Sequence, residues 1–334
     1  MIRIGIFGAA GIAPQALIRP VSRRTDMEVV AVAARSLESA TSFAREHGIP
    51  RAYEGYAELL AADDIDLVYV ALPPSEHVRW SVAALEAGKD VLCEKPISMD
   101  AAQARHAAAV AERTGRHLIE AFHDHYHPLT AAVRDFVNSG ALGTVASIDA
   151  SFTADNPYSP TSIRHVPALG GGALMDLGCY PVHWLRELAG AEPFITGARF
   201  VPNELGADIA IDAEMVFTSG PHAGARGTLH ASMEPGVPFA APVVVTGDRG
   251  TLRVDNLVLP HRGHSVTTVI DGVTRTWTVA GAETYDHELD AVVTSLRTGT
   301  AADTEGEDFV ATMDVIDAIY AAAGVVRPDT AIGS

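Results

Sequence analysis

The sequence predicts two domains: an α/β half built on a parallel, doubly wound sheet, then an α+β half built on a large, mainly antiparallel open sheet. Three observations predict this. The chain has 334 residues, more than one domain usually holds, and 48% hydrophobic content is enough for two cores. As far as Phe122, short apolar runs alternate with helix-period segments. Beyond it, strand-like segments follow one another with turn residues between them. The expected boundary divides residues 1–121 from 122–334.

In the first half, Ile2 to Phe7 reads as a strand, Gly8 to Ala13 as a tight turn, Gln15 to Arg24 as a helix and Val29 to Ala33 as the second strand. That order is a βαβ unit. A helix from Leu37 to Gly48, a short strand at Arg51 to Tyr53 and a buried strand at Leu67 to Leu72 follow. Pro73-Pro74 ends that strand, because proline cannot donate to a ladder. The helix Glu76 to Ala87 then carries Val78, Val82 and Leu85 on one face, with Gly88 placed to terminate it. Val91-Leu92-Cys93 is the next strand. Asp100 or Ser98 can cap the Ala-rich helix that runs to Arg113, and His117 to Phe122 reads as the last strand of this half.

In the second half, the helix Leu129 to Ser139 is closed by Gly140. Eight strand-like segments follow, at 144–153, 194–202, 208–219, 225–234, 242–247, 250–255, 265–270 and 273–279, with turns such as Gly247-Asp248-Arg249-Gly250 and Asp271-Gly272 between them. A helical insert interrupts them at 171–189. Closing helices at about 285–298 and 305–323 have apolar faces that must pack on one domain or the other.

Composition excludes several partners. The formal charge of −18 opposes approach to nucleic-acid phosphates and anionic lipid surfaces. No run of about 18 apolar residues occurs, and the start MIRIGIFGAAGIA is not a leader with a charged n-region and a long apolar core. The two cysteines, Cys93 and Cys179, are not placed for a structural disulfide. A cytoplasmic protein with no membrane and no nucleic-acid partner is expected.

The Gly-rich turn carries the first chemistry. A pyrophosphate needs close backbone approach and exposed N–H groups at a helix start. Gly8, Ala9, Ala10, Gly11 and Ile12 supply such a turn between a strand and a helix, although Ala10 stands where G-x-G-x-x-G has its second glycine. A plain tight turn is the structural alternative. The second strand runs into Ala34-Arg35-Ser36 with no carboxylate from Val29 to Leu37. A ribose 2′-hydroxyl is therefore not served there, whereas Arg35 and Ser36 can hold a 2′-phosphate. NADP is the expected cofactor, with NAD the second choice; a solvated loop charge is the alternative for Arg35.

Further segments resemble a known family. Gly-Ala-Ala-x-Ile-Ala at 8–13, the Pro-rich strand end at 72–74 with His77, Glu-Lys-Pro at 94–96, Gly-Ala-Leu-Gly at 140–143 and Gly-Gly-Gly-Ala-Leu-Met-Asp-Leu-Gly-Cys-Tyr-Pro at 170–181 are similar, in order and spacing, to the Gfo/Idh/MocA oxidoreductases. With tyrosine at the proton-donor position, the chain is closest to the glucose-fructose oxidoreductase and dimeric dihydrodiol dehydrogenase subgroup. The resemblance implies a Rossmann domain, a substrate domain on an open antiparallel sheet, and hydride transfer on sugars, polyols or diols. It places Leu72, Pro73, His77, Glu94 and Lys95 around the cofactor and Lys95 at the reacting oxygen. An ammonium near an oxidised nicotinamide has a lowered pKa, which suits a polariser or proton relay. A cis peptide before Pro96 would re-aim that lysine.

Tyr180 is implied as proton donor and Asp176 as a group that orients substrate or stabilises Lys95. In a regular helix the two lie at i, i+4, with His183 a turn further on. Gly178 and Pro181 argue for a kinked helix there. His183 stands where the family commonly has Asp or Asn, and His125 where it usually has Arg. Both, with Arg164 in the loop before Gly170, are substrate candidates. His123, His125 and His127 share one face if their segment is extended, but alternate residues are then about 6–7 Å apart, and no metal is assigned.

The expected enzyme is an NADP-preferring dehydrogenase or reductase acting on a secondary alcohol or carbonyl. The alternatives are an NAD-dependent member, a redox-assisted glycosidase of the same fold, or a non-catalytic nucleotide sensor. Ile209, Ile211, Met215, Phe217, Leu229 and Met233 suggest an apolar sheet face covered by a second copy, hence a homodimer or dimer of dimers.

Overall fold

The computed structural model describes residues 1–325 and 327. These fall into two compact units. The first comprises Met1–Phe122 and Tyr285–Val310, and the second His123–Thr284 with the described residues from Ala311 on. The stretch from Tyr285 to Val310 thus returns to the first unit.

The first unit contains a six-stranded parallel sheet of β1 Ile2–Phe7, β2 Met27–Ala34, β3 Arg51–Glu54, β4 Leu67–Val70, β5 Asp90–Cys93 and β6 Leu118–Glu120, in the order β3-β2-β1-β4-β5-β6. The order reverses direction between β1 and β4, which is where doubly wound sheets bind ligands beyond their carboxyl ends. The strands read as continuous apolar runs because both faces are covered. Ile4, Ile6, Leu67, Tyr69, Leu92 and Ile119 pack with Leu17 and with Tyr285, Leu289 and Val292 of the helix Thr284–Thr298. Asp100 caps the helix Ala101–Thr114, its carboxylate accepting from Gln103 N–H at 2.8 Å. The helix expected from Gln15 to Arg24 is instead a π-helical turn, Pro14–Ile18, followed by a short α-helix, Arg19–Ser22. Pro20 lacks the N–H that a continuous α-helix would use, and the wider winding takes up the mismatch.

The second unit is an eight-stranded sheet of β7 Val145–Thr153, β8 Pro193–Pro202, β9 Asp208–Phe217, β10 Arg226–Ser232, β11 Val243–Gly247, β12 Gly250–Val254, β13 Val266–Ile270 and β14 Val273–Trp277. Its order is β14-β13-β12-β11-β7-β10-β9-β8, and β7 with β10 is its parallel pair. The remaining ladders are antiparallel. Asp271-Gly272 makes the two-residue hairpin between β13 and β14, with Asp271 itself at φ 48°.

Alternation divides the two faces of this sheet. Ile148, Ala150, Ile211, Met215, Phe217 and Leu229 are buried on the inner face. The outer face carries polar pairs at its centre, where Thr228 donates to Asp149 at 2.6 Å and Asp212 is bonded to His230 at 2.8 Å and to Arg199 at 3.0 Å, and exposed Phe194 and Val201 on β8. The particular residues expected to make an uncovered face apolar mostly lie on the inner face instead. Ile211, Met215, Phe217, Leu229 and Met233 are all buried within the chain itself. Cys93 and Cys179 are buried and form no disulfide, and no described helix is long and apolar enough to cross a membrane.

Candidate functional site

In the first unit, the residues singled out by sequence gather at the carboxyl ends of β1, β2, β4 and β5. Gly8 has φ +101°, and a Cβ there would meet Ala71 O at 2.4 Å, so glycine is required by both conformation and space. A Cβ on Gly11 would meet nothing within 4 Å. No backbone hydrogen bond occupies the amides of Ala9, Ala10, Gly11 and Ile12 among the described residues. An open, donor-rich turn of this kind fits a pyrophosphate.

Arg35 is exposed at the end of β2, and Ser36 caps the helix Leu37–His47, its Oγ accepting from Ser39 N–H at 3.3 Å. The Ser36 hydroxyl proton stays available, and the helix start favours an anion. Together these fit a 2′-phosphate. Glu54 pairs with Ala34 across the β2–β3 ladder, so a carboxylate does stand one strand over.

His77 is buried, with Nδ1 2.8 Å from Pro96 O and Nε2 2.8 Å from Leu72 O. Burial, with the Lys95 charge adding to it, pushes its pKa down to about 4 against those two carbonyls. The ring ties the strand end at Leu72-Pro73 to the Glu94-Lys95-Pro96 segment. Lys95 is half-buried, the Lys95–Pro96 peptide is cis, and Glu94 accepts a hydrogen bond from the buried Tyr69 hydroxyl.

In the second unit, the Gly-rich segment leads into a π-helical turn, Leu174–Gly178, and the helix Cys179–Ala189. Pro181 cannot donate to Leu177 O, and the winding widens just ahead of it. Regular i, i+4 spacing between Asp176 and Tyr180 therefore does not apply. Asp176 accepts from Arg164 Nε at 2.8 Å, which joins two of the predicted residues. Tyr180 is buried, 5% exposed, and its hydroxyl lies 3.1 Å from His123 Nε2. Its ring packs edge-on against Phe152 of β7 at 5.5 Å.

The segment 123–127 is a turn, not an extended strand, so the three imidazoles do not share a face. His123 faces Tyr180. His125 Nδ1 lies 3.3 Å from Glu187 Oε2, with the His183 ring 5.3 Å away. His127 caps the helix Pro128–Asn138 by accepting from Leu129 N–H at 3.1 Å. Between these histidines, buried Asp124 accepts from Trp184 Nε1 at 2.5 Å; burial pushes its carboxyl up to about 6 against that bond. For Glu187, burial acts to raise the carboxyl, but the His125 hydrogen bond and the charges of His125, His183 and Arg134 outweigh it and hold the group low.

Sequence reasoning missed His123 and Asp208. His123 itself was weighed only as one of three possible metal ligands in a histidine-rich stretch. Asp208 starts a strand and carries no motif, yet it accepts from Leu174 N–H at 2.7 Å and from Tyr320 Oη at 2.9 Å. A Cβ on Gly172, at φ +141°, would stand 2.2 Å from Asp208 Oδ1. Asp208 thus fixes the start of the segment that presents Asp176 and Tyr180.

Burial pushes Asp208 up to about 6 despite its hydrogen bonds. The folded chain then holds a proton the unfolded chain lacks between that value and the ordinary carboxylate range, so this group adds stability as pH falls. Relative to Asp208→Asn, the unmutated chain should gain about 1.4 kcal/mol between roughly pH 7.5 and 5. Urea unfolding of both chains at each pH checks this, since titrations common to both cancel in the difference.

Two family models match the chain. One described as "Oxidoreductase family, NAD-binding Rossmann fold" covers residues 2–122, and the GFO/IDH/MocA C-terminal domain covers residues 130–253. An uncharacterized oxidoreductase of Rhizobium meliloti is 34% identical over 331 residues, 97% of each chain. The D-xylose 1-dehydrogenase (NADP(+)) 2 of Haloferax volcanii is 33% identical over 319 residues, 96% of each chain. Among solved structures, a 3-ketoreductase from Actinomadura kijaniata in complex with NADP and TDP-benzene superimposes with a TM-score of 0.87 at 27% identity, covering 96% of this chain and 97% of that one.

Proposed function

The chain belongs to the GFO/IDH/MocA oxidoreductase family, and from that premise we propose that it is an NADP(H)-preferring enzyme acting on a secondary alcohol or carbonyl of a sugar, polyol or diol. The observation that carries the cofactor choice is Arg35-Ser36 at the end of β2, with a helix N-terminus behind it. The NADP named for the Haloferax and Actinomadura relatives supports it. The sugar in the Haloferax name and the ketoreductase activity in the Actinomadura name support the substrate class.

When bound, the nicotinamide accepts or supplies the hydride. The rest of the reaction falls to the protein. The Gly8–Ile12 turn holds the pyrophosphate, and His77 keeps the Leu72-Pro73 and Glu94-Lys95 segments in register. Lys95 stabilises charge on the reacting oxygen, and Tyr180 exchanges the hydroxyl proton with His123 behind it as the neighbouring base. Asp176 orients the substrate and is itself oriented by Arg164.

Arg35→Ala should cost about 1.5–3 kcal/mol in NADP(H) affinity and spare NAD(H), because a charge-assisted contact is lost. Glu54→Gln should change NADP(H) affinity little. Fluorescence titration of both nucleotides decides the matter: equal binding of the two by the unmutated chain would overturn the preference. Reduction of bound NADP in a single turnover by one of a panel of sugars, polyols and diols tests the activity itself. A homodimer or dimer of dimers draws no support from the apolar residues buried in the sheet. Light scattering at micromolar concentration tests it, and a monomer would contradict it.

A further inference from the structure

We propose that the 123–127 turn and the helix Cys179–Ala189 together form a zinc site, with His125, His183 and Glu187 as its ligands. His183 and Glu187 are four residues apart on one helix, so they project from the same face. His125 reaches them from the turn. One donor atom from each of the three lies within 4.8 Å of the others, and His125 Nδ1 to Glu187 Oε2 is 3.3 Å. Donors around a tetrahedral zinc stand roughly 3.3 Å apart, so modest ring rotation brings the third into place.

The surroundings suit a bound cation. The His125 and Glu187 side chains are each 9% exposed and His183 is 2% exposed, so three donors meet in a largely dry place. Arg134 Nη1 holds the other Glu187 oxygen at 2.8 Å, which aims Oε2 at the site in the way outer-shell partners orient metal ligands. Two imidazole nitrogens and one carboxylate oxygen select zinc over magnesium or calcium, which take oxygen ligands. Three protein ligands leave the fourth position to water.

This site does not rest on the redox reading, and in it His125 and His183 hold a metal instead of touching substrate. Its placement still bears on Tyr180, because His183 lies one turn beyond Tyr180 on the same helix and His125 lies two residues beyond His123. A bound ion would hold together the two segments whose side chains make the Tyr180–His123 hydrogen bond.

The test uses the full chain, stripped with a chelator and dialysed against Zn²⁺ without nucleotide. One zinc per chain is expected, and Co²⁺ in its place should give the visible bands of a four-coordinate N/O site. His125→Ala and Glu187→Gln should each weaken zinc binding at least about tenfold, as even outer-shell losses do. Zinc should raise the melting temperature of the unmutated chain and leave that of Glu187→Gln unchanged. Glu187→Gln keeps the side chain's shape and an acceptor for His125, and circular dichroism confirms that it folds. Failure of the unmutated chain to retain zinc, or zinc held equally well by both variants, overturns the proposal.

Discussion

Tyr180→Phe should lower turnover by about 10²–10⁴-fold while leaving NADP(H) binding nearly unchanged. The substitution removes one oxygen and keeps the ring that packs on Phe152, so its effect reads the proton and not the fold. Lys95→Ala should fall in the same range, and the double variant should lose less than the product of the two, because the proposal has both groups act on one oxygen. His123→Gln should be milder. Glutamine can still bond the Tyr180 hydroxyl but cannot take its proton, so the loss should appear in the pH profile of turnover with the Michaelis constant little changed. Asp176→Asn should also be milder, since the amide keeps an oxygen for Arg164. The decisive measurement is pre-steady-state reduction of NADP by a substrate found in the panel. Hydride transfer by Tyr180→Phe at the unmutated rate would remove the tyrosine from the mechanism and leave the proton role to Lys95.

What could be read in the sequence follows from which signals are local. All eight strands of the second sheet lie within a residue or two of their expected bounds, because period-two alternation and turns such as Asp271-Gly272 are written in short windows. Gly8 and the 94–96 segment were legible for the same reason. The π-helical turns were not, since a helix period of 3.6 is assumed before Pro20 or Pro181 is allowed to disturb it. The histidines at 123–127 misled, because alternation in the letters implies a shared face only when the backbone is extended, and here it turns. Asp208 was invisible: its partners Leu174 and Tyr320 are 34 and 112 residues away, and long-range pairing of one buried carboxylate leaves no local mark. Asp212, Glu214, Thr228 and Asp149 in the strands already spelled out the polar centre of the outer face, which the apolar residues of the other parity concealed.

Gly8→Ala should abolish detectable NADP(H) binding at ordinary concentrations and destabilise the first unit by about 2–6 kcal/mol. Two costs add. A left-handed φ of +101° penalises any Cβ by about 1–3 kcal/mol, and the new methyl would stand 2.4 Å from Ala71 O, an overpacking that costs a further 1–3 kcal/mol or so unless the backbone shifts. The shift is where binding is lost. Gly8 N–H bonds Ala33 O at 2.9 Å at the end of β2, and Ala71 N–H bonds Phe7 O at 2.9 Å at the end of β4, so any movement of the turn pulls on both strands that flank β1. The open amides from Ala9 to Ile12 would move with it. Gly11→Ala is the matched control, because its Cβ meets nothing within 4 Å and should leave stability within about 0.5 kcal/mol. Urea unfolding and nucleotide titration of the two variants side by side give the answer: if Gly8→Ala matched Gly11→Ala in both, close backbone approach at the β1 turn would not be what holds the cofactor.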